Sequence, residues 1–442
     1  MSLKRIVDWI ADTNSLINPQ IALPPPKRKF ADDTIPTTAI GMSSPPPTED
    51  PRSDVEATPR AKSPSKRLRI DSLPASFYHE SIADHDTPSL SASSVTGSTR
   101  TDTTGGSSRL RRKRSPVKNM SDLRLADRPV VLTTLQRPDQ LPSDAVGLVT
   151  VARVIRQGSN IIPRQVEQQA QSCMTIVDDL VSDSSFYDAE EWARSHGLQP
   201  WDASEELRLL KRTVTRTQEC ELENWSEAAW NARIHEPILD FVLECFSGSI
   251  RHFDVTRAPI NKPYLSRHIS GVDMQSKMVD FCICLAGDDI VAASQSRLKT
   301  ASDSNSINHT SYQPIRDRPI AISIETKTLE GSSQEAKAQL SIWASAHLKR
   351  LRSLAGKSST KTTHAVGITL PVLSTSGGDW TLLFVKDGIN GVEVIETISV
   401  GNTKSLVGSY KLVSVLRQLG IWVQTTFRPW ALENLLASTQ IK

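Results

Sequence analysis

The 442-residue sequence predicts an α/β fold, and three stretches carry that prediction. Residues 318–329 alternate isoleucine with small or charged side chains, and this period of two is typical of a β-strand with one apolar face. Residues 277–285 show the same alternation. Residues 221–246 instead place apolar side chains at alternating spacings of four and three, which is typical of an amphipathic helix. Strands and helices therefore alternate along the second half of the chain.

Composition and charge divide the chain into three parts. Residues 1–118 hold 18 Lys and Arg against 13 Asp and Glu, a net charge of +5, and the remainder of the chain has a net charge of −2. The first part is rich in Ser and Pro and cannot bury enough apolar surface to offset the entropy of ordering it. We therefore expect a long disordered basic tail over residues 1–118, a linker with extra N-terminal helices over 119–204, and a folded domain over 205–436.

Three basic clusters lie within this tail, at residues 27–29, 66–69 and 109–114. Such runs are typical of nuclear import signals or of arms that contact phosphates, although a charge run is most often only a solvated segment. Because three of them stand beside Ser or Pro, we expect the import machinery to bind them. The predicted location is the nucleus, with the cytoplasm as the alternative.

The rest of the composition excludes several classes of protein. Five cysteines without Cys-x-x-Cys spacing indicate reduced thiols of an intracellular protein and disfavour a zinc site. The N-terminus carries Asp8 and Asp12 and lacks the pattern of a signal peptide. No stretch is long and apolar enough for a membrane span, so we expect no membrane contact. The apolar residues within 1–10 fit either a frayed cluster or a short docking helix.

The remaining elements follow in order. Repeated prolines predict an extended segment over residues 121–148, and short helices are expected at 163–181, 189–196 and 204–217. A strand around 253–256 precedes the strand at 277–285. The polar composition of 294–311 indicates a mobile insertion. Beyond it, the patterns predict helices at 332–354 and 410–422, strands at 364–370 and 380–385, and an aromatic packing corner at 427–430.

One acid interrupts the apolar stripe of the helix at 221–246. Glu236 occupies a position of that stripe, so its side chain lies either at the rim of the packing surface or inside a site. Pro237 follows it, and an interior proline breaks or kinks a helix. We therefore expect a kink or a new helix start near Glu236.

Two strands each bring a carboxylate to the end of a polar face. Glu325 and Lys327 lie on the same face of the strand at 318–329, two residues apart. The tripeptide Glu-x-Lys is common and occurs again at residues 335–337. It lies more often on a solvated strand face than in a functional site. Asp280 supplies the partner it needs, because aspartate is disfavoured in strands and a buried carboxylate requires a partner or a metal ion.

The order helix, strand, strand, strand, helix, strand, with these acids, resembles the PD-(D/E)XK nuclease superfamily over roughly residues 205–436. The resemblance implies a restriction-endonuclease-like α-β-β-β-α-β core around a mixed central sheet. It is most similar to fungal nuclease-like proteins that carry this domain after a disordered basic tail. Two features depart from the pattern: Val279 stands where the motif has proline, and the nearly neutral domain lacks an evident basic groove.

The resemblance implies a metal-dependent hydrolysis of nucleic-acid phosphodiester bonds. Asp280 and Glu325 would hold Mg²⁺, or alternatively Mn²⁺, together with the carbonyl of Thr326. Lys327 would position or activate the attacking water. DNA is favoured over RNA as the substrate.

Two further residues are implied by the same resemblance. Glu236 would be the auxiliary acid on the helix. Gln339 begins the pattern Gln339-Leu340-x-x-Trp343, which is similar to the Gln-hydrophobic-x-x-Tyr motif of RecB-type members, with tryptophan in place of tyrosine.

Three functions stay open at this point. The first is an active Mg²⁺-dependent nuclease. The second is a catalytically inactive nuclease-like fold that serves as a nucleic-acid or chromatin adaptor. The third is a protein of secondary metabolism or defence whose fold binds something else. The sequence predicts no oligomeric state.

Overall fold

A computed structural model describes residues 120–268, 274, 276–300, 305–356 and 365–437. All of them belong to one of the two units into which the chain divides, residues 105–442. The predicted tail over residues 1–118, its three basic clusters and the apolar segment at 1–10 lie outside the described residues.

A mixed seven-stranded sheet forms the centre of this part of the chain and confirms the predicted α/β class. The described residues contain nine strands, which are β1 (Val130–Thr134), β2 (Ile162–Pro163), β3 (Phe186–Tyr187), β4 (Ile250–Asp254), β5 (Phe281–Leu285), β6 (Ile320–Glu325), β7 (Thr369–Ser376), β8 (Asp379–Asp387) and β9 (Val392–Asn402). The sheet order is β1-β9-β8-β7-β6-β5-β4, while β2 and β3 pair separately. The pairs β1–β9 and β6–β7 are parallel and the other neighbours in the large sheet are antiparallel.

Helices flank the sheet. They are α1 (Met120–Leu123), α2 (Ser143–Arg156), α3 (Glu167–Cys173), α4 (Ala189–Ser195), α5 (Ala203–Leu222), α6 (Glu227–Trp230), α7 (Glu236–Glu244), α8 (Asp288–Thr300), α9 (Ser333–Gly356), α10 (Leu406–Trp422) and α11 (Arg428–Asn434). Two five-residue π-helical turns, Asn231–His235 and Val423–Phe427, precede α7 and α11. None of the described helices is long and apolar enough to cross a membrane.

The strand β6 lies at the centre of the core. All six of its residues are buried, so both faces of the sheet are covered at this strand. The helix α9 packs on one face, where the Trp343 indole donates a hydrogen bond to the Ser323 hydroxyl at 3.0 Å. The even-numbered isoleucines of β6 occupy the opposite face, as the period of two predicts.

The segment 119–204, predicted to be a linker with accessory helices, contributes directly to this core. Its strand β1 pairs in parallel with β9 at the edge of the large sheet. Its helix α2 packs against α10 and β9. The boundary predicted at residue 205 therefore falls inside one packed unit.

The predicted helix at 221–246 is interrupted where Pro237 indicated. The chain runs from α6 through the π-helical turn Asn231–His235 into α7, which begins at Glu236 with the proline in its second position. A proline has no N–H for the carbonyl four residues earlier, which is that of Arg233. This carbonyl instead accepts a hydrogen bond from the Arg216 guanidinium at 3.4 Å.

The prediction of a mobile insertion over residues 294–311 is wrong for the residues that the structure describes there. The helix α8 extends to Thr300, and residues 306–310 are buried. The Asn308 amide donates to the Ile315 and Arg318 carbonyls at 2.6 and 2.9 Å, and its oxygen accepts from the Ile320 N–H at 3.1 Å. One side chain thus satisfies three backbone groups of a polar segment, which composition alone does not reveal.

Candidate active site

The ends of two antiparallel strands bring the predicted carboxylates together. Phe281, the first residue of β5, pairs with Ile324, near the end of β6, so Asp280 lies beside the residues that follow β6. The Asp280 N–H donates to the Ile324 carbonyl at 3.1 Å, and the Thr326 N–H donates to the Asp280 carboxylate at 2.8 Å. The register of this pair therefore defines the site.

The Asp280 carboxylate is buried and lies within hydrogen-bond distance of three groups. Its Oδ2 accepts from the Thr326 N–H and lies 3.0 Å from the Thr326 hydroxyl, while its Oδ1 accepts from the Asn231 amide at 3.1 Å. Burial raises the pKa of Asp280, and the hydrogen bonds from Thr326 and Asn231 and the charge of Lys327 oppose that rise.

Glu325 is almost completely buried, and only one of its two carboxylate oxygens accepts a hydrogen bond from the described residues. Its Oε1 accepts from the Lys327 ammonium at 2.6 Å, whereas its Oε2 has no hydrogen-bond partner among the residues that the structure describes. Burial, followed by the negative charge of Asp280, raises the pKa of Glu325 to about 8 against the opposing charge of Lys327. The buried oxygen without a donor is the most unusual polar atom of the site.

Lys327 lies among several acceptors. Besides Glu325, its ammonium contacts the Thr326 carbonyl at 2.9 Å and the Glu227 carboxylate at 3.1 Å. Burial lowers the pKa of Lys327, but the charges of Glu325 and Glu227 outweigh burial and raise it. Burial likewise raises the pKa of Glu227 against the opposing charge of Lys327.

The three acids of this cluster line a cleft of about 330 Å³. Its lining includes Glu227, Thr256, Lys277, Asp280, Glu325 and Gln339. A larger and shallower groove of about 490 Å³ lies between α5 and α7, but it contains none of the predicted site residues. The chemistry thus points to the smaller cleft.

The structure brings five of the six predicted site residues to this region. Asp280, Glu325, Thr326 and Lys327 are in direct contact or adjacent along the chain. Gln339 of α9 lines the edge of the cleft, where its amide nitrogen lies 3.5 Å from the Met278 carbonyl.

Glu236 does not join them. It is the first residue of α7, half-buried and outside the lining of the cleft. Glu227 of α6 reaches Lys327 instead. The apolar stripe predicted an inward-facing Glu236 on the basis of one continuous helix. The π-helical turn at 231–235 interrupts that helix and changes which positions face the core. Ser226, which caps α6 by accepting from the Ala229 N–H, was the sequence signal for a separate helix.

The donor set fits a divalent cation that prefers oxygen. The unpartnered Oε2 of Glu325, the Asp280 carboxylate and the Thr326 carbonyl are all oxygen ligands, and Mg²⁺ commonly takes one or two carboxylates and keeps several waters. Within the described residues there is no group of three or more His, Cys, Asp or Glu side chains arranged to hold a metal ion. A cation on the Thr326 carbonyl also requires the Lys327 ammonium to leave that oxygen, with Glu325 and Glu227 as its remaining partners.

The sequence matches one family model. That family is described as the PD-(D/E)XK nuclease superfamily, and the match covers residues 175–428, which is more than half of the chain. The matched range includes every residue of the cleft named above. Neither a curated protein nor a solved structure has significant similarity to the chain.

Proposed function

Because the chain belongs to the PD-(D/E)XK nuclease superfamily and its mixed sheet with flanking helices has the expected restriction-endonuclease-like arrangement, we propose that it is a metal-dependent nuclease that hydrolyses phosphodiester bonds of nucleic acid. DNA is the substrate we favour. The observation that carries this proposal is the buried Glu325 carboxylate: its Oε2 has no donor among the described residues, the charge of Asp280 acts on it, and both acids line the cleft.

In this proposal, Asp280, Glu325 and the Thr326 carbonyl hold Mg²⁺ or Mn²⁺. When bound, such an ion supplies positive charge to the phosphate and lowers the pKa of a bound water molecule. The Thr326 N–H holds the Asp280 carboxylate at 2.8 Å, so that the carboxylate is oriented before the ligand arrives.

Two other side chains act on charge within the cleft. Lys327 places a fixed positive charge where negative charge develops on the phosphate, and Glu227 holds the Lys327 ammonium at 3.1 Å. Glu227 thereby takes the place that sequence reasoning assigned to Glu236. Gln339 stays a proposed site residue at the cleft edge.

The test compares purified wild-type protein with Asp280→Ala and Lys327→Ala. Cleavage of single- and double-stranded DNA and RNA is measured in Mg²⁺, in Mn²⁺ and in EDTA, and metal binding is measured by calorimetry. We expect Asp280→Ala to abolish both metal binding and cleavage. We expect Lys327→Ala to abolish cleavage while metal binding largely survives, because lysine is not a ligand.

A matched control is Asp387→Asn. Asp387 is a buried carboxylate away from the cleft that accepts from Arg128, Arg352 and the Val366 N–H. Its substitution should lower the melting temperature and leave metal binding intact.

One observation favours the second function, a catalytically inactive adaptor. The Lys327 ammonium contacts both the Glu325 Oε1 and the Thr326 carbonyl, so two of the three proposed ligand groups already have an internal cation. This function would be established instead if the wild-type protein binds nucleic acid but cleaves it with neither metal ion, and if both variants have lowered melting temperatures.

We also propose that the basic clusters of the tail direct the protein to the nucleus. The test replaces Arg111, Arg112, Lys113 and Arg114 by alanine in a fluorescent fusion and expects a shift towards the cytoplasm. An unchanged nuclear signal after removal of all three clusters would contradict an import role.

A further inference from the structure

Asn231 connects the two strands that form the site. It is buried at the first position of the π-helical turn Asn231–His235. Its amide nitrogen donates to the Asp280 Oδ1 at 3.1 Å, and its amide oxygen accepts from the Thr326 hydroxyl at 2.8 Å. A side chain from a helix thus contacts the residues at the ends of both β5 and β6.

Chemistry permits only one orientation of this amide. An ionised carboxylate can only accept hydrogen bonds, so the group that faces Asp280 must be the NH₂ of Asn231. The amide oxygen then faces the Thr326 hydroxyl, which can donate to it. Rotating the amide by 180° would place its oxygen against the carboxylate and lose the bond that it makes there.

The wide turn has a local cause that is separate from this network. Pro237 provides no N–H for the Arg233 carbonyl, and an insertion of the π type accommodates such a gap. The second π-helical turn, Val423–Phe427, also precedes a helix whose second residue is a proline, Pro429. There the neighbouring rings of Trp422, Phe427 and Trp430 pack together. The proline therefore explains the turn, whereas the contact with Asp280 is specific to Asn231.

We propose that Asn231 is a positioning residue, which holds the Asp280 carboxylate in its orientation towards the cleft and thereby sets the affinity for the metal ion. This inference rests on the proposed function. Among the described residues, three groups lie within hydrogen-bond distance of the carboxylate, and of these only the Asn231 amide reaches Oδ1. Without it, Oδ1 of the proposed ligand loses its donor, and only the Thr326 bond to Oδ2 restrains the carboxylate.

Partners that orient metal ligands in this way typically contribute about 10–100-fold to metal affinity. The experiment therefore measures Mn²⁺ binding by calorimetry for the wild type and for Asn231→Leu, which keeps the approximate volume and removes both hydrogen bonds. We expect the dissociation constant of Asn231→Leu to rise by about 10–100-fold. Its cleavage rate should recover at saturating Mn²⁺, because a metal excess compensates for weak binding.

The matched control is Asn308→Leu. Asn308 is likewise a buried asparagine, with three side-chain hydrogen bonds, but it lies beside Ile320, at the opposite end of β6 from Glu325. We expect this variant to lower the melting temperature and to keep the Mn²⁺ affinity of the wild type. Raising the Mn²⁺ concentration should not compensate for its defect.

A second variant covers the case in which Asn231→Leu does not fold. Thr326→Val is nearly isosteric, retains the backbone N–H and removes the hydroxyl, which lies 2.8 Å from the Asn231 amide oxygen and 3.0 Å from the Asp280 Oδ2. It should weaken Mn²⁺ binding in the same direction by a smaller factor.

The outcomes separate the two claims. A wild type that binds Mn²⁺, with unchanged affinity in Asn231→Leu, overturns the inference and leaves the proposed function intact. If Asn231→Leu is unfolded, unchanged affinity in Thr326→Val overturns it instead. A wild type that binds no Mn²⁺ contradicts both the proposed function and the inference.

Discussion

Two buried clusters of charged side chains in this protein differ in how their charges are matched. In the first, the two oxygens of Glu206 accept from the Arg417 guanidinium at 2.8 Å and from the Trp201 indole at 2.7 Å. The guanidinium also stacks 3.6 Å from the centre of the Trp201 ring. One negative charge meets one positive charge, and both carboxylate oxygens have donors.

The second cluster is the cleft, where the charges do not match. Glu325 and Glu227 share the ammonium of Lys327, Asp280 adds a third carboxylate, and the Glu325 Oε2 has no donor in the described part of the chain. Both clusters contain nearly inaccessible carboxylates, so burial alone does not distinguish them. The two clusters differ instead in the number of hydrogen-bond donors for each carboxylate oxygen. The matched pair is therefore structural, whereas the unmatched cluster is suited to binding a cation from solution.

Breaking the matched pair should have the largest effect. Arg417→Met leaves the Glu206 carboxylate buried without its cation, and we expect a loss of about 3–5 kcal/mol in the free energy of unfolding. Chemical denaturation measures it. The double variant Glu206→Leu/Arg417→Met should recover much of that loss, because it removes both charges. An Arg417→Met variant as stable as the wild type would show that the pair is not structural.

A divalent cation should act on the unmatched cluster alone. If Mg²⁺ or Mn²⁺ binds the folded state, a concentration of 100 times the dissociation constant raises the free energy of unfolding by about 2.7 kcal/mol. The melting temperature should therefore rise with added metal and fall again with EDTA. Asp280→Ala should lose this response, whereas Asp387→Asn should keep it. An equal response in Asp280→Ala would place the metal elsewhere.

The pH dependence of the free energy of unfolding should distinguish the two clusters. The pKa of Glu325 is raised to about 8 in the folded protein, above its ordinary value, so its contribution to stability is complete below pH 4.5 and is lost as the pH rises through 8. Glu325→Gln cannot ionise and can still accept from Lys327. We expect its stability relative to the wild type to grow between pH 6 and pH 9 by on the order of 1–2 kcal/mol.

The control for this titration is Glu206→Gln. It should be destabilised at every pH in that range, because the Arg417 guanidinium loses its counter-charge. Denaturant unfolding at several pH values measures both variants. A constant stability difference between Glu325→Gln and the wild type would contradict an ionising, strained Glu325.

The smallest effect concerns the acid that the structure leaves outside the cleft. Glu236→Gln should change metal affinity and cleavage by less than about twofold and stability by less than about 0.5 kcal/mol. Glu227→Gln should impair cleavage measurably, because Lys327 loses one of its two carboxylate partners. Calorimetry and cleavage assays on the pair decide between the two acids, and the reverse result would restore Glu236 to the site.

Much of the cleft could be predicted because its residues follow strand periodicity. Alternation places Glu325 and Lys327 on one face, and an aspartate beside a buried strand draws attention to Asp280. Two strands on one side of the sheet were not predicted. The strand β9 pairs with β8 through register shifts, and β1 joins the sheet by parallel pairing with β9. Neither feature has a local sequence signal strong enough to establish it.

The sequence also did not reveal that Glu227, and not Glu236, is the helix acid at the cleft. Pro237 predicts an interruption, but not that a π-helical turn follows α6 and brings Asn231 to Asp280. The direction of a side chain after such a turn depends on the accumulated rotation of the backbone. It also depends on partners that are distant in sequence, such as the Arg216 guanidinium on the Arg233 carbonyl.

The sequence by itself determined the α/β class, the central strand and the pairing of Asp280 with Glu325-x-Lys327, because hydrophobic periodicity and residue chemistry act over a few neighbouring positions. Only the tertiary structure decided which oxygens have donors. Satisfaction of a buried polar atom depends on groups brought together from distant parts of the chain, as Asn231, Asp280 and Thr326 are. The unmatched charge of the cleft is therefore a property of the folded chain.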